Sequence, residues 1–127
     1  MVGDNGIPVK ILEDGSGVRL LEDVTFHVED LCGVTLAVDV PKGFVSDGAS
    51  IPKALWSIVG SPLDGGPLRA AIVHDWLCVQ AKTPRARRFA DTCFEWIMEE
   101  QMVPRWRRLA MFWAVRAYAL FVWRPRA

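Results

Sequence analysis

The amino-acid sequence predicts an α+β fold in which a small N-terminal antiparallel β-meander precedes three to four packed helices. Short apolar segments separated by Asp, Gly and Ser occupy residues 1–46, and longer apolar stretches that begin at prolines occupy residues 47–127. All six tryptophans lie in the second part. A chain of 127 residues suits one domain with one core, so we divide a single domain, 1–127, into a β-rich acidic part and a helical part.

The strongest strand signal is the segment VTLAVDV at residues 34–40. Val34, Leu36, Val38 and Val40 share one face, because successive side chains of a strand point to opposite sides. The earlier segments VKILED, VRLLED and VTFHVED alternate less regularly and end in acidic residues. This pattern indicates a sheet with one solvated face.

Capping residues and prolines mark the helix boundaries in the second part of the chain. Ser50 is a suitable N-cap for a short helix that Gly60 ends. The remaining predicted helices span residues 67–80, 83–102 and 104–125. The most apolar run, 109–123, is shorter than the roughly 20 residues that cross a bilayer and contains Arg116, so we interpret it as a core helix and predict no transmembrane segment.

Charge is segregated along the chain although the net charge is zero. Residues 1–52 hold three basic and nine acidic side chains, a net of −6, and residues 53–127 hold twelve basic and six acidic ones, a net of +6. We expect the two halves to attract each other. The lack of an overall basic excess argues against nucleic acid as a partner.

The cysteines and the N-terminus favour a reducing compartment and give no sign of secretion. Cys32, Cys78 and Cys93 are odd in number and form no close pair, which suits a reducing compartment better than a disulfide framework. The start of the chain, MVGDNGIP, lacks the charged segment and apolar run of a secretion signal.

The helix 67–80 carries a polar pair, His74 and Asp75, in an otherwise apolar sequence. A helix that is apolar on nearly all sides is usually buried. An unpaired buried carboxylate costs several kcal/mol, so Asp75 requires a partner. The predicted core stripe of the helix 67–80 consists of Leu68, Ala71, Ile72, Asp75 and Val79.

The following helices supply candidate partners. In the helix 83–102, Asp91 borders a predicted apolar stripe, and Arg87 precedes it by four residues, the spacing of a local ion pair. Arg116 lies in the middle of the last helix and is the natural buried partner for Asp75, Asp91 or Asp47. We therefore expect a polar network between helices. The predicted stripe of the helix 83–102 consists of Ala86, Phe89, Ala90, Cys93 and Ile97.

The same polar residues allow several chemistries. Asp47, His74, Asp75 and Asp91 could bind a divalent metal through oxygen and imidazole ligands. If the protein is an enzyme, His74 and Asp75, with Asp47, could instead act as a general base. Considered singly, each residue is better explained by a structural hydrogen bond.

Two narrower interpretations have less support. Zinc could be held by His74, Cys78 and Cys93, but the sequence offers no obvious fourth ligand. A histidine–aspartate pair with His27 before it and Asp91 after it is similar to the HD phosphohydrolases. That superfamily is wholly helical, whereas the segment TFHVED around His27 predicts a strand.

The last 25 residues are basic and aromatic. Residues 103–127 contain six arginines and no acid, and three of these arginines crowd the start of the last helix, where the helix dipole disfavours cations. We expect the glutamates at 95, 99 and 100 to compensate. The alternative is that this end docks onto an acidic partner or nucleic acid through its arginines and through Trp106 and Trp123.

Four motifs in order resemble a phage and prophage family catalogued as domain of unknown function 1353. They are GFVSDGASIP at 43–52, HDWL at 74–77, RRFADTCF at 87–94 and AVR at 114–116. The resemblance covers about residues 34–118 and singles out the residues that the burial argument reaches, which are Asp47, His74, Asp75, Asp91 and Arg116.

The resemblance implies an origin in phages or prophages and no particular reaction. We therefore expect a small virion component, structural or accessory and associated with the tail, whose partners are other phage proteins and whose location is the host cytoplasm and then the virion. The alternative is a metal-dependent hydrolase acting on cell wall or a phosphoester through Asp47, His74, Asp75 and Asp91. Whether the protein is an enzyme stays open at this point.

Overall fold

The computed structural model of the protein describes residues 7–13, 17–29, 32–48, 51, 55–60 and 65–124. Five antiparallel strands precede the helices, which confirms the predicted α+β class. Three of the helices are long and one is a single short turn. The elements are β1 (Val9–Ile11), β2 (Val18–Leu20), β3 (Val24–Glu29), β4 (Thr35–Val40), β5 (Val45–Ser46), α1 (Trp56–Val59), α2 (Gly65–Gln80), α3 (Pro84–Glu100) and α4 (Arg105–Phe121).

The strands form two sheets. One sheet has the order β1-β2-β5, and the other is the β3–β4 pair. The short strand β5 returns to pair with β2, with Ser46 opposite Val18, and it also packs against α2. This return is what brings the turn after β5 to the polar face of α2.

Helix α3 begins at its predicted cap, whereas α1 begins at Trp56 without a side-chain cap. The N-cap predicted at Ser50 lies outside the described residues. The Thr83 hydroxyl accepts a hydrogen bond of 3.1 Å from the backbone N–H of Ala86, and Pro84 occupies the first turn of α3. Helix α3 ends at Glu100, slightly before the predicted residue 102, because Met102 adopts a left-handed conformation with φ of 60°. No helix in the described ranges is long and apolar enough to span a membrane.

The core lies where α2 and α3 pack against each other and against the strands. Its strand side is formed by residues such as Phe26 and Val40, which fill the inner face of the β3–β4 pair. The predicted common face of residues 34–40 holds only for Val38 and Val40, since Val34 and Leu36 are exposed where β4 extends past the core.

Helix α3 buries most of the apolar stripe that its sequence predicts, since Ala90, Cys93 and Ile97 lie in the core. Phe89, expected in the same stripe, is 42% exposed, so its predicted burial was wrong. Phe94 is buried in its place, together with two charged residues, Arg87 and Asp91. Burial of an arginine and an aspartate on one face has a specific cause, which is the polar network between the helices.

Candidate functional site

Asp91 is the centre of a buried polar network that joins the three long helices. Its side chain is 0% exposed. Oδ1 accepts hydrogen bonds from His74 Nε2 on α2 at 2.6 Å and from Arg87 Nε on α3 at 3.0 Å. Oδ2 accepts one from Arg116 Nη1 on α4 at 2.6 Å. One carboxylate therefore holds side chains from α2, α3 and α4 together.

The surroundings of Asp91 explain how a buried carboxylate is tolerated. Burial alone favours its neutral form, but the hydrogen bond and charge of His74 and the guanidinium groups of Arg87 and Arg116 outweigh burial and lower the pKa of Asp91. A buried ion costs several kcal/mol when it is unpaired. Here both oxygens have partners, so the charge is compensated where it lies.

His74 is the second buried ionisable group. Its ring packs on Phe94, with ring centroids 4.9 Å apart, and its Nδ1 lies 3.6 Å from Asp75 Oδ1. Burial disfavours the imidazolium, but the nearby Cys78 and the hydrogen bonds to Asp75 and Asp91 raise the pKa of His74 well above its ordinary value of 6.5. His74 therefore lies buried between two carboxylates that favour its protonated form.

Arg87 extends the network toward the end of α4. Besides Asp91, it donates through Nη2 to the backbone carbonyl of Val115 at 3.3 Å. Its guanidinium carbon lies 5.5 Å from the centre of the Tyr118 ring and 5.8 Å from that of Trp123, within the range of cation–π attraction. Planar stacking and hydrogen bonding of this kind are suited to arginine rather than lysine.

Asp75 joins the strands to α2. Its Oδ2 accepts hydrogen bonds from the Ser46 hydroxyl at 2.6 Å and from the backbone N–H of Gly48 at 3.2 Å. Both donors belong to β5 and the turn after it, so the pairing of β5 with β2 fixes this carboxylate. The side chain of Asp75 is partly exposed, unlike that of Asp91.

A pocket of about 360 Å³ opens beside Asp75. This volume is at the lower end of the range for small-molecule sites, roughly 300–1,000 Å³. One wall comes from β5 and α2, and the other comes from Arg87 and the end of α4. The lining residues with polar or aromatic groups are Phe44, Asp47, Asp75, Cys78, Arg87, Tyr118, Trp123 and Arg124.

The residues nearest to a metal-ligand arrangement are His74, Cys78 and Asp91, whose donor atoms lie within 4.8 Å of one another in the described part of the chain. A divalent ion fits poorly among them. It would have to displace the arginines that bind Asp91 and the proton that the raised pKa of His74 retains. Cys93, the third residue of the zinc interpretation, is buried, which raises its pKa to about 12 and disfavours the thiolate that zinc needs.

The structure separates the predicted residues into two neighbouring groups. His74, Asp91, Arg87 and Arg116 form the buried network, and Arg116 pairs with Asp91 among its three predicted partners. Asp47 and Asp75 line the pocket, where Asp75 also approaches His74. His27, the first residue of the HD pattern, is exposed on β3.

Sequence reasoning missed two contributions to the site. The Ser46 hydroxyl binds Asp75, and the rings of Tyr118 and Trp123 flank Arg87. Ser46 lies next to Asp47 in a motif already singled out, so its position was a usable signal. The two aromatic residues carry no local signal, because their role depends on how α4 packs on α3.

One protein-family model matches most of the chain. The model of the family described as "Protein of unknown function (DUF1353)" matches residues 18–115. The chain is a DUF1353 protein. The matched range includes every residue of the buried network except Arg116, which follows it directly, and it begins at β2, earlier than the four motifs indicate.

Two relatives of this DUF1353 protein come from Sinorhizobium fredii (strain NBRC 101917 / NGR234). Uncharacterized protein y4jT is 42% identical over 81 residues, which are 62% of this chain and 23% of y4jT. Uncharacterized protein y4iH is 36% identical over 107 residues, 82% of this chain and 42% of y4iH. The chain thus spans less than half the length of either relative. No solved structure matches it.

The two shifted pKa values predict how stability depends on pH. Because the pKa of His74 is raised in the folded state, its stabilisation is complete below about 6.5 and is lost as pH rises through the folded value. Because the pKa of Asp91 is lowered, its stabilisation is present above about 3.9 and is lost as pH falls through the folded value. These two groups together favour mildly acidic pH.

Urea unfolding of the wild type and of His74→Gln across pH 5–9 tests the predicted loss of stability at basic pH, since glutamine cannot be protonated. We expect the difference in unfolding free energy to be largest at the acidic end and to shrink as pH rises. The exposed His27 is present in both proteins, so its titration does not contribute to the difference in unfolding free energy. A difference that is constant with pH would show that the His74 charge does not contribute.

Proposed function

We propose that this DUF1353 protein is a phage- or prophage-derived accessory protein, in its most specific form a tail-associated virion component, and that the Asp91 network has a structural role. The observation that supports the structural role is the saturation of Asp91, whose two oxygens accept three hydrogen bonds from the side chains of three helices. A carboxylate bound in this way is suited to holding helices together, since a substrate would have to displace cations to reach it.

The phage origin rests on the four motifs and on their order. In this proposal the partners are other phage proteins, and the chain passes from the host cytoplasm into the particle. A component that must survive assembly benefits from an interior in which one buried ion locks three helices, because removing any member leaves an uncompensated charge.

Particle composition tests the virion form of the proposal. Phage particles purified from the host that carries the gene are digested and analysed by quantitative mass spectrometry. We expect peptides of this chain at a fixed ratio to a known tail protein. The control is a gene-deleted phage to which the purified chain is added before particle purification. A signal no higher than in that control would exclude a virion component.

The second candidate function is a hydrolase that works in the pocket. It is favoured by the position of Asp47 and Asp75, which line the same opening, and by the two hydrogen bonds from Ser46 and Gly48 that orient Asp75. A fixed, partly exposed carboxylate can activate water as a general base or take part in binding a divalent ion. The substrate classes are cell wall and phosphoesters.

Turnover assays distinguish a hydrolase from a purely structural protein. Purified peptidoglycan and bis-p-nitrophenyl phosphate are offered to the protein with zinc, manganese or magnesium. If the protein is a hydrolase, Asp75→Asn should lower kcat by at least about a hundredfold, whereas Asp39→Asn, at an exposed acid on β4, should leave it unchanged. Turnover that Asp75→Asn and Asp47→Asn leave intact, or no turnover at all, would exclude hydrolysis in this pocket.

A further inference from the structure

A second hollow, of about 290 Å³, lies between the start of α3 and the end of α4. Three arginines, a proline and two large apolar side chains line it, namely Arg87, Arg116, Arg124, Pro84, Leu120 and Trp123. None of the described residues that line this hollow is acidic. We name it the arginine hollow.

The arginine hollow lies directly beside the buried network. Asp91 supplies one negative charge, which Arg87 and Arg116 share through hydrogen bonds to its two oxygens. Arg124 adds a third guanidinium group to the lining. One carboxylate does not neutralise three guanidinium groups, so the hollow attracts a further anion.

Two of the arginines keep hydrogen-bond donors for a ligand. Arg116 binds Asp91 through Nη1, and its side chain stays 17% exposed. Arg124 binds the backbone carbonyl of Trp123 through Nη1 and is exposed. A guanidinium group has five N–H donors in a planar arrangement that matches the oxygens of phosphates and carboxylates. Each side chain can therefore bind a ligand without giving up the contact that it already makes.

The start of α3 adds to the attraction for an anion. Pro84, in the first turn of this helix, lines the hollow. The first turn contains no acidic residue, although the helix dipole favours a negative charge there. Arg85 and Arg87 occupy this turn instead. A bound anion would offset both the dipole and these like charges.

The neighbouring pocket beside Asp75 is less suited to an anion. It shares Arg87, Trp123 and Arg124 with the arginine hollow, but Asp47 and Asp75 also line it. Their carboxylates would repel a ligand of the same sign. The two openings therefore differ in charge although they have residues in common.

We propose that the arginine hollow binds the phosphate group of a small organic phosphate. A phosphate monoester carries roughly 1.5 to 2 negative charges at neutral pH, more than a carboxylate offers to the same arginines. Leu120 and Trp123 provide apolar contacts for the organic part. The volume of the hollow is close to the lower limit of small-molecule sites, about 300 Å³, which favours a small ligand. The inference goes beyond the proposed function, because it concerns binding and holds for an accessory protein and for a hydrolase alike.

Isothermal titration calorimetry of the full chain with phenyl phosphate tests the proposal. We expect a Kd below about 1 mM, and no binding of phenol, which has the same ring and lacks the phosphate. Arg124→Gln should weaken binding by about tenfold or more. Arg105→Gln is the matched control and should leave the Kd unchanged, because Arg105 is exposed at the other end of α4.

Substitutions at Leu120 identify which opening is occupied. Leu120 lines the arginine hollow and is absent from the lining of the pocket beside Asp75, and it is 65% exposed, so its replacement spares the core. Leu120→Glu places a negative charge beside the phosphate, whereas Leu120→Gln has the same size without the charge. We expect Leu120→Gln to bind phenyl phosphate at least about tenfold more tightly than Leu120→Glu.

Circular dichroism confirms that each variant is folded. The proposal is overturned if the wild type does not bind phenyl phosphate, or if phenol binds as tightly. Equal affinities of Leu120→Glu and Leu120→Gln, or unchanged affinity in Arg124→Gln, would place the ligand elsewhere and would overturn it as well.

Discussion

Replacing Asp91 with Asn is expected to lower the free energy of unfolding by about 3–5 kcal/mol, the range measured when one partner of a buried ion pair is removed. Asparagine has nearly the same size, so packing is retained. The negative charge that compensates His74, Arg87 and Arg116 is lost, and the new amide NH₂ group can face donors on neighbouring helices. Urea unfolding near pH 6 measures the loss.

Asp39→Asn is the matched control for this substitution. Asp39 is exposed on β4 and accepts a hydrogen bond from the Thr25 hydroxyl, so its replacement should change the unfolding free energy by less than about 1 kcal/mol. If Asp91→Asn were as mild as Asp39→Asn, the buried network would contribute little to stability. The structural role proposed for it would then fail.

Phe94→Ala is expected to lower the unfolding free energy by about 3–5 kcal/mol, as for other buried phenylalanines. The ring is buried in the core and packs against the His74 imidazole. Its removal takes away apolar contacts and leaves a cavity beside a buried cation. Urea unfolding, with the slope against urea compared between variants, gives the loss and shows whether the native state is otherwise unchanged.

Phe89→Ala, five residues earlier on the same helix, tests which of the two phenylalanine rings α3 buries. Phe89 is largely solvated, so its replacement should cost less than about 1 kcal/mol. A larger loss at Phe89 than at Phe94 would mean that Phe89 is buried, as the apolar pattern predicts, and would contradict the structure. The pair of variants therefore tests the orientation of α3 independently of the network.

The orientation of α3 shows where local sequence rules stop. Helix boundaries are predictable because Thr83 and Pro84 act within one turn. The buried face is predictable only in part, because the usual rule places charged residues outward, whereas Arg87 and Asp91 are buried through mutual compensation. Phe89 lies beyond the edge of that face and is exposed as a result.

The network itself was predictable in kind but not in detail. An arginine in the middle of an apolar helix requires a buried acid, and this reasoning leads to Arg116 and a set of three aspartates. Which aspartate binds Arg116 depends on the position of α4 along α3, and side-chain packing between the two helices sets that position. The position of Asp75 likewise depends on β5, whose return to pair with β2 leaves no local signal.

The junction at Asp91 has a consequence for how the molecule opens. The Asp91 side chain is hydrogen-bonded to residues of α2, α3 and α4. Separating any one of these helices therefore leaves a buried charged group without its partner. The middle turns of all three helices should therefore exchange their amide hydrogens with solvent in a single cooperative event.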